Sequence, residues 1–251
     1  MLSDRELSIL ASLDVYRYLT ARQIETLHFY DHASNLTGAR TCRRVLERLA
    51  RAGVLHRLER RIGGLRAGSA SYVYCLDRLG YRLLHNDDGS RRRRREPSAV
   101  FLDHTLAIAQ LAVDLSVAAR TRVIEDLAIE TEPLCWRRFS RGLAGTDTLK
   151  PDLALAFATG DYELRWFVEI DLGSVGIGAL LRKCRLYHDY WATSTEQDRH
   201  GVFPMVLWIT TDNTRAAKVQ HAIRTAPHLG SNLFDVVTRS GALDHLTGGD
   251  L

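Results

Sequence analysis

The stretch from Thr37 to Leu76 constrains this chain more than any other. Val45, Leu46, Leu49 and Ala50 recur at helical spacing and make an apolar stripe within a helix expected over 37–52. Arg40, Arg44, Arg48 and Arg51 step by four, four and three along another face, with Arg43 beside them. Gly53 follows as a helix-ending glycine. The pattern then changes period. Residues 54–61 alternate as a strand does, 63–69 form a glycine-rich tip carrying Arg66, and 72–76 read as a second strand, so the two make a hairpin. A helix with one apolar and one cationic face must therefore lead directly into a short β-hairpin.

Two shorter helices are expected before it. One begins near Asp4 with Ser3 or Asp4 as its cap, and one restarts after Thr20, where Gln23 completes a capping-box pattern and the helix runs to about His28. Asp77 caps a further short helix. Helix, helix, arginine-faced helix and hairpin resembles the winged-helix arrangement. In helix-turn-helix proteins of that kind the second helix of the motif enters the major groove. By that resemblance Arg40, Arg43, Arg44, Arg48 and Arg51 meet DNA, and Arg60 and Arg66 on the hairpin follow the neighbouring backbone or minor groove. The bland alternative for such a stripe is a solvated face.

Charge is distributed in keeping with the first reading. Residues 1–97 hold 19 arginines, no lysine and 11 carboxylates, a balance of +8; residues 98–251 hold 15 basic and 19 acidic residues, a balance of −4. Such asymmetry is the footprint of a nucleic-acid-binding module joined to something else. Five consecutive arginines, 91–95, sit in a polar segment ending at Pro97. They repel one another and read as a linker, solvated or clamping phosphates. The expected organisation is a winged-helix domain over 1–85, an Arg-rich linker over 86–97 and a second domain over 98–251. No uninterrupted apolar run reaches the roughly 18 residues of a membrane span, and the first residues lack signal-peptide order; the expectation is a cytoplasmic protein with no membrane partner. Cys42, Cys75, Cys135 and Cys184 form no CxxC pair, so reduced, packed thiols are expected rather than a zinc site.

The second part reads as α-β-β-β-α-β-α-β, a mixed α/β sheet with flanking helices. Its helices are expected over 98–120, 176–191 and 213–226. Its strands are expected over 123–129, 152–158, 164–171, 203–210 and 233–238, with 137–142 as a loop and Gly160-Asp161 as a hairpin turn. Asp152 opens one strand, while Glu169 and Asp171 lie two apart near the end of the next and so share a face. Pairing around the turn sets Asp152 roughly opposite Glu169. Three carboxylates at one sheet end are costly without a cation. Mg²⁺ or Mn²⁺ would offset the repulsion and can activate water against a phosphodiester. The plainer alternative is a turn residue and two exposed strand residues.

The Pro151-Asp152 pair, the turn and Glu169-Ile170-Asp171 resemble the PD-(D/E)XK nuclease core. Taken whole, with Glu-Ile-Asp-Leu-Gly-Ser at 169–174 and Lys183 four residues before Tyr187, the chain resembles the replication-relaxation family of plasmid and mobile-element proteins over about residues 4–240. That resemblance implies a restriction-endonuclease-like α/β domain, Asp152 and Glu169 as metal ligands, and the Ile170 carbonyl as a helper. The nuclease pattern has Lys where this chain has Asp171. Either Lys183 reaches in from the following helix, with Arg182 a weaker substitute and Tyr187 touching or merely packing nearby, or Asp171 is a third ligand. Two functions stay open. One is a metal-dependent DNA endonuclease or nickase using Asp152, Glu169, Asp171 and Lys183. The other is a non-catalytic replication, transfer-accessory or regulatory protein with an inactive nuclease-like domain. Both imply double-stranded DNA as partner and leave room for a homodimer and for plasmid replication or transfer proteins.

Overall fold

The computed structural model describes residues 2–32, 34–58, 72–85, 96–142, 145–227, 229 and 231–248. The chain divides into two compact units, Met1–Val117 and Ala118–Leu251. The hairpin tip with Arg60 and Arg66, and the arginine run 91–95, lie outside the described residues.

The first unit starts with α1 (Asp4–Tyr16), α2 (Ala21–His28) and α3 (Asn35–Arg51). Each start is chemically specified. Ser3 and Glu6 make a reciprocal capping box on α1, Thr20 and Gln23 make another on α2, and the Ser34 hydroxyl accepts from the Thr37 amide at the head of α3. Caps of this kind are worth about 1 kcal/mol each. β2 (Leu55–Arg57) and β3 (Val73–Leu76) pair antiparallel with Leu55 opposite Leu76, and the two-residue strand β1 (Leu19–Thr20) adds to the other edge of β3. Ile9, Leu10, Leu13, Ile24, Cys42, Leu46, Leu49 and Leu55 are fully buried between these elements. Next comes α4 (Arg78–His85). At Gly80 it approaches the chain so closely that a β-carbon would lie 2.4 Å from the Val54 carbonyl oxygen.

The long helix α5 (Ala99–Arg120) departs from the expected boundary at Pro97, since its first nineteen residues belong with the first unit. Buried Gln23 explains the attachment: its amide donates to the Leu106 carbonyl at 3.1 Å and to Gln110 Oε1 at 3.2 Å, and Ala109 joins the same core. Among the described residues α5 is the one helix long and apolar enough to cross a membrane by length and composition. Counting uninterrupted apolar runs hides this, because Asp103, Gln110 and Asp114 break the run.

The second unit is a mixed α/β fold. It contains β4 (Glu125–Glu130), β5 (Arg137–Ser140), β6 (Thr146–Leu149), β7 (Leu153–Thr159), β8 (Tyr162–Asp171), α6 (Ile177–Trp191), α7 (Thr195–His200), β9 (Met205–Thr210), α8 (Asn213–Thr225), β10 (Phe234–Thr238) and α9 (Ala242–Thr247). Five strands form one sheet in the order β10-β9-β8-β7-β4. β8, β9 and β10 run parallel, and β7 is antiparallel to both β8 and β4. The β7–β8 turn is Gly160-Asp161, with Gly160 at φ +55°, a conformation that suits a residue without a β-carbon. Phe167, Leu180, Cys184, Tyr187, Val206 and Val219 fill the core that α6 and α8 share with the sheet.

Residues 137–142, expected as a loop, instead supply β5, which pairs with β6 in a separate hairpin. Two things hold it. Phe139 and Leu149 enter the core, and Arg137 donates to Glu196 Oε1 and Glu130 Oε2, both at 2.8 Å. Four residues dominated by Arg and Ser carry too little apolar alternation to announce a strand.

Candidate functional site

Two constellations carry charge in patterns that chemistry can use. The first is on α3. Its buried stripe is Cys42, Leu46 and Leu49. At about 100° per residue, Arg40, Arg44 and Arg51 fall within about 30° of the line opposite that stripe, and Arg43 and Arg48 flank it. All five are exposed. Their partners differ. Arg48 pairs with Glu6 Oε1 on α1; Glu6 is buried, and its other oxygen accepts from the Ser3 amide and hydroxyl. Arg51 pairs with Glu47 on its own helix at 2.5 Å, and Arg43 Nε donates to the Ala39 carbonyl. Arg40 and Arg44 have no ion-pair partner among the described residues, so their guanidinium groups remain available to an outside anion. Arg57, absent from the expected set, is a further exposed arginine of this unit: at the end of β2 it stacks over the Tyr72 ring at 4.4 Å. Strand alternation puts it on the same face as buried Leu55, and its place at the end of the strand is what leaves it exposed.

The second constellation is at the end of β8. Leu153 pairs with Val168, which sets Asp152 opposite Glu169. The Asp152 amide donates to the Val168 carbonyl at 3.1 Å, and Asp152 Oδ2 accepts from the Ile170 amide at 2.7 Å. Glu169 is buried against α6. Its Oε2 accepts from Lys183 Nζ at 2.5 Å and its Oε1 from the Tyr187 hydroxyl at 2.6 Å. Spacing explains the reach, since Lys183 and Tyr187 are one turn apart on α6 and project from one side of it.

Burial pushes the Glu169 carboxyl up to about 7, Lys183 opposes the shift, and Asp152 adds to it. Burial pulls the Lys183 ammonium down, but Glu169 and Asp152 outweigh it and hold the group above its ordinary value. The Tyr187 hydroxyl is driven well up, first by burial and then by Glu169. Cys135 packs close by, its thiol donating to the Pro151 carbonyl at 3.1 Å, and burial takes that thiol to about 12. A thiol held there stays protonated and is no nucleophile.

Asp171 is also buried, but a different helix satisfies it. Arg215 Nε on α8 donates to its Oδ2 at 2.6 Å, the Gly173 amide donates to its Oδ1 at 2.9 Å, and Arg215 Nη2 reaches the Val175 carbonyl at 2.6 Å. The structure therefore brings Asp152, Glu169 and Lys183 together, adds Tyr187, and draws Asp171 into a separate ion pair. Arg215 lies 44 residues from Asp171, and no local pattern announced it.

These donors do not fit a divalent ion held by three carboxylates. Both oxygens of Glu169 and both of Asp171 already accept from protein donors, and a cationic side chain is among them in each case. Among the described residues no group of three His, Cys, Asp or Glu is arranged to hold a metal ion.

A family model described as replication-relaxation matches residues 10–206 of the chain. No curated protein and no solved structure gives a match.

Proposed function

The chain belongs to the replication-relaxation family, and from that premise we propose that it is a duplex-DNA-binding protein acting in the replication or transfer of a plasmid or mobile element. The observation that carries this reading is the outer face of α3, where Arg40 and Arg44 stand exposed with no counter-ion among the described residues. The order of α1, α2, α3, β2 and β3 supports a winged-helix reading, with α3 as the helix that enters the major groove. Arg40 and Arg44 then meet phosphates or guanine edges, for which the planar guanidinium is suited. Arg57 supports the neighbouring backbone. Arg48 holds α1 to α3 and contributes at most a marginal contact.

Fluorescence anisotropy on a labelled duplex, across a salt series, tests this. Arg40→Ala/Arg44→Ala is expected to weaken binding about tenfold or more at moderate salt. It is also expected to flatten the dependence of log K on log salt by up to about two units, close to one per lost phosphate contact. An unchanged affinity and slope would remove α3 as the DNA-contacting element.

A second reading rests on Asp152, Glu169 and Lys183 meeting at one sheet end, in an order similar to the PD-(D/E)XK core. On that reading the second unit is a DNA endonuclease or nickase. Incubation of supercoiled plasmid with the protein and either Mg²⁺ or Mn²⁺ decides between them. Nicking lost in Asp152→Ala supports the enzyme, and intact plasmid together with duplex binding supports the binding protein.

A further inference from the structure

The carboxylate end of β8 would ordinarily call for a metal ion, and its partners point elsewhere. Glu169 and Asp171 are only 2% and 3% exposed. Burying two carboxylates so close together is unfavourable unless positive charge accompanies them. That charge is present in the chain itself. Lys183 Nζ is 2.5 Å from Glu169 Oε2 and Arg215 Nε is 2.6 Å from Asp171 Oδ2, while Asp152 turns one oxygen to the Ile170 amide.

We infer that Lys183 and Arg215 take the place of divalent cations at this sheet end, so that the second unit is built and works without bound metal. Lys183 is the residue on which this turns. It comes from α6, its side chain is about a third exposed, and it lies on the outer side of a carboxylate that is otherwise enclosed. A divalent ion approaching Glu169 would have to displace an ammonium already in place and also take an oxygen from the Tyr187 hydroxyl. Arg215 is more deeply committed. It is 14% exposed and is also tied to the Val175 carbonyl, so it fixes the 172–176 segment between β8 and α6 as well as Asp171. Each pair joins a helix to the strand end, Lys183 through α6 and Arg215 through α8. The pairs are positioning contacts for both helices as well as charge compensation. This inference does not rest on the DNA-binding reading, and each can fail without the other.

The test uses the full chain and Mn²⁺ alone. Free Mn²⁺ is followed by its electron paramagnetic resonance signal during titration into wild type, Lys183→Met and Glu169→Gln. Thermal unfolding is followed for these and for Glu169→Gln/Lys183→Met, with Mg²⁺ and with a chelator. Wild type is expected to take up no stoichiometric Mn²⁺ at micromolar concentrations and to melt at the same temperature with Mg²⁺ or chelator. Lys183→Met is expected to melt several degrees lower, and the double variant to recover most of that loss. One equivalent of Mn²⁺ bound tightly by wild type and released by Glu169→Gln would overturn the inference. So would losses that simply add in the double variant, because Glu169 and Lys183 would then not be each other's counter-ions. If Lys183→Met fails to fold, the Mn²⁺ titrations of wild type and Glu169→Gln still decide.

Discussion

The outer face of α3 and the end of β8 are both dense in charge, and they treat it in opposite ways. On α3 the guanidinium groups of Arg40 and Arg44 are exposed and have no ion-pair partner among the described residues. At β8 the carboxylates of Glu169 and Asp171 are enclosed, and each is met by a cation from a helix. An exposed unpaired charge costs little to keep and stays available to an outside ion. A buried paired charge is spent inside the fold and leaves little for a ligand. The same composition signal therefore marks charge open to an outside ion in one unit and internal scaffolding in the other. Removing a cation should thus harm function in the first and stability in the second.

The largest effect expected is at Arg215. Arg215→Ala leaves Asp171 buried with the Gly173 amide but without its cation. Breaking such a pair from one side typically costs about 3–5 kcal/mol. Urea unfolding of the second unit should show a loss of that order, and Asp171→Asn/Arg215→Ala should recover part of it. A loss under about 1 kcal/mol would mean that the β8 end tolerates unpaired charge after all, and the contrast between the units would collapse.

A pH series sharpens the comparison at Glu169. Its folded-state carboxyl titrates near 7 through burial, above the ordinary value of 4.5. Between those values the folded chain holds a proton that the unfolded chain releases. The contribution to stability is therefore fully present below about pH 4.5 and is lost as pH rises through about 7, by on the order of 3 kcal/mol. Glu169→Gln lacks this dependence, and the difference between wild type and variant cancels groups common to both. A difference that stays constant from pH 4.5 to 8 would show that Glu169 ionises as readily inside the protein as outside.

What could be read from sequence divides along a physical line. The stripe on α3 was legible because helical phase is local: every fourth residue shares a face whatever else the chain does. Asp152 opposite Glu169 was legible for a similar reason, since period two and a two-residue turn fix the register. Partner choice was not legible. Glu6 and Arg48 are 42 residues apart and Asp171 and Arg215 are 44 apart, and only the packed positions of separate elements bring them together. Asp171 looked like a ligand because nothing within its own strand could show that α8 delivers an arginine to it. β5 escaped notice because four mostly polar residues carry little periodicity, and their support comes from Glu196, well beyond them.

Arg48 tests whether the contrast holds within a single helix. It lies on the flank of the cationic face, yet it pairs with Glu6, which is enclosed between α1 and α3. Arg48→Ala should cost about 1–2 kcal/mol in the first unit, less than Arg215→Ala costs in the second. Arg48 is largely in water, and Glu6 keeps its bonds from Ser3. Duplex affinity should change much less than in Arg40→Ala/Arg44→Ala. The reverse pattern, intact stability with a tenfold loss of DNA binding, would move Arg48 from scaffold to contact surface.

The smallest stability effect expected is the most discriminating. Arg44→Ala removes a side chain with no ion-pair partner among the described residues, on a surface facing away from the core. Substitutions of that kind usually change stability by less than about 0.5 kcal/mol, and alanine's higher helix propensity offsets part even of that. Unfolding of the variant should therefore overlay that of wild type, while its duplex affinity falls. Both outcomes are needed. A stable variant with unchanged affinity makes the α3 face a solvated surface, as charge runs often are. A destabilised variant means Arg44 has an internal role that its exposure conceals, and the separation between charge kept for a ligand and charge used by the fold no longer runs between the two units.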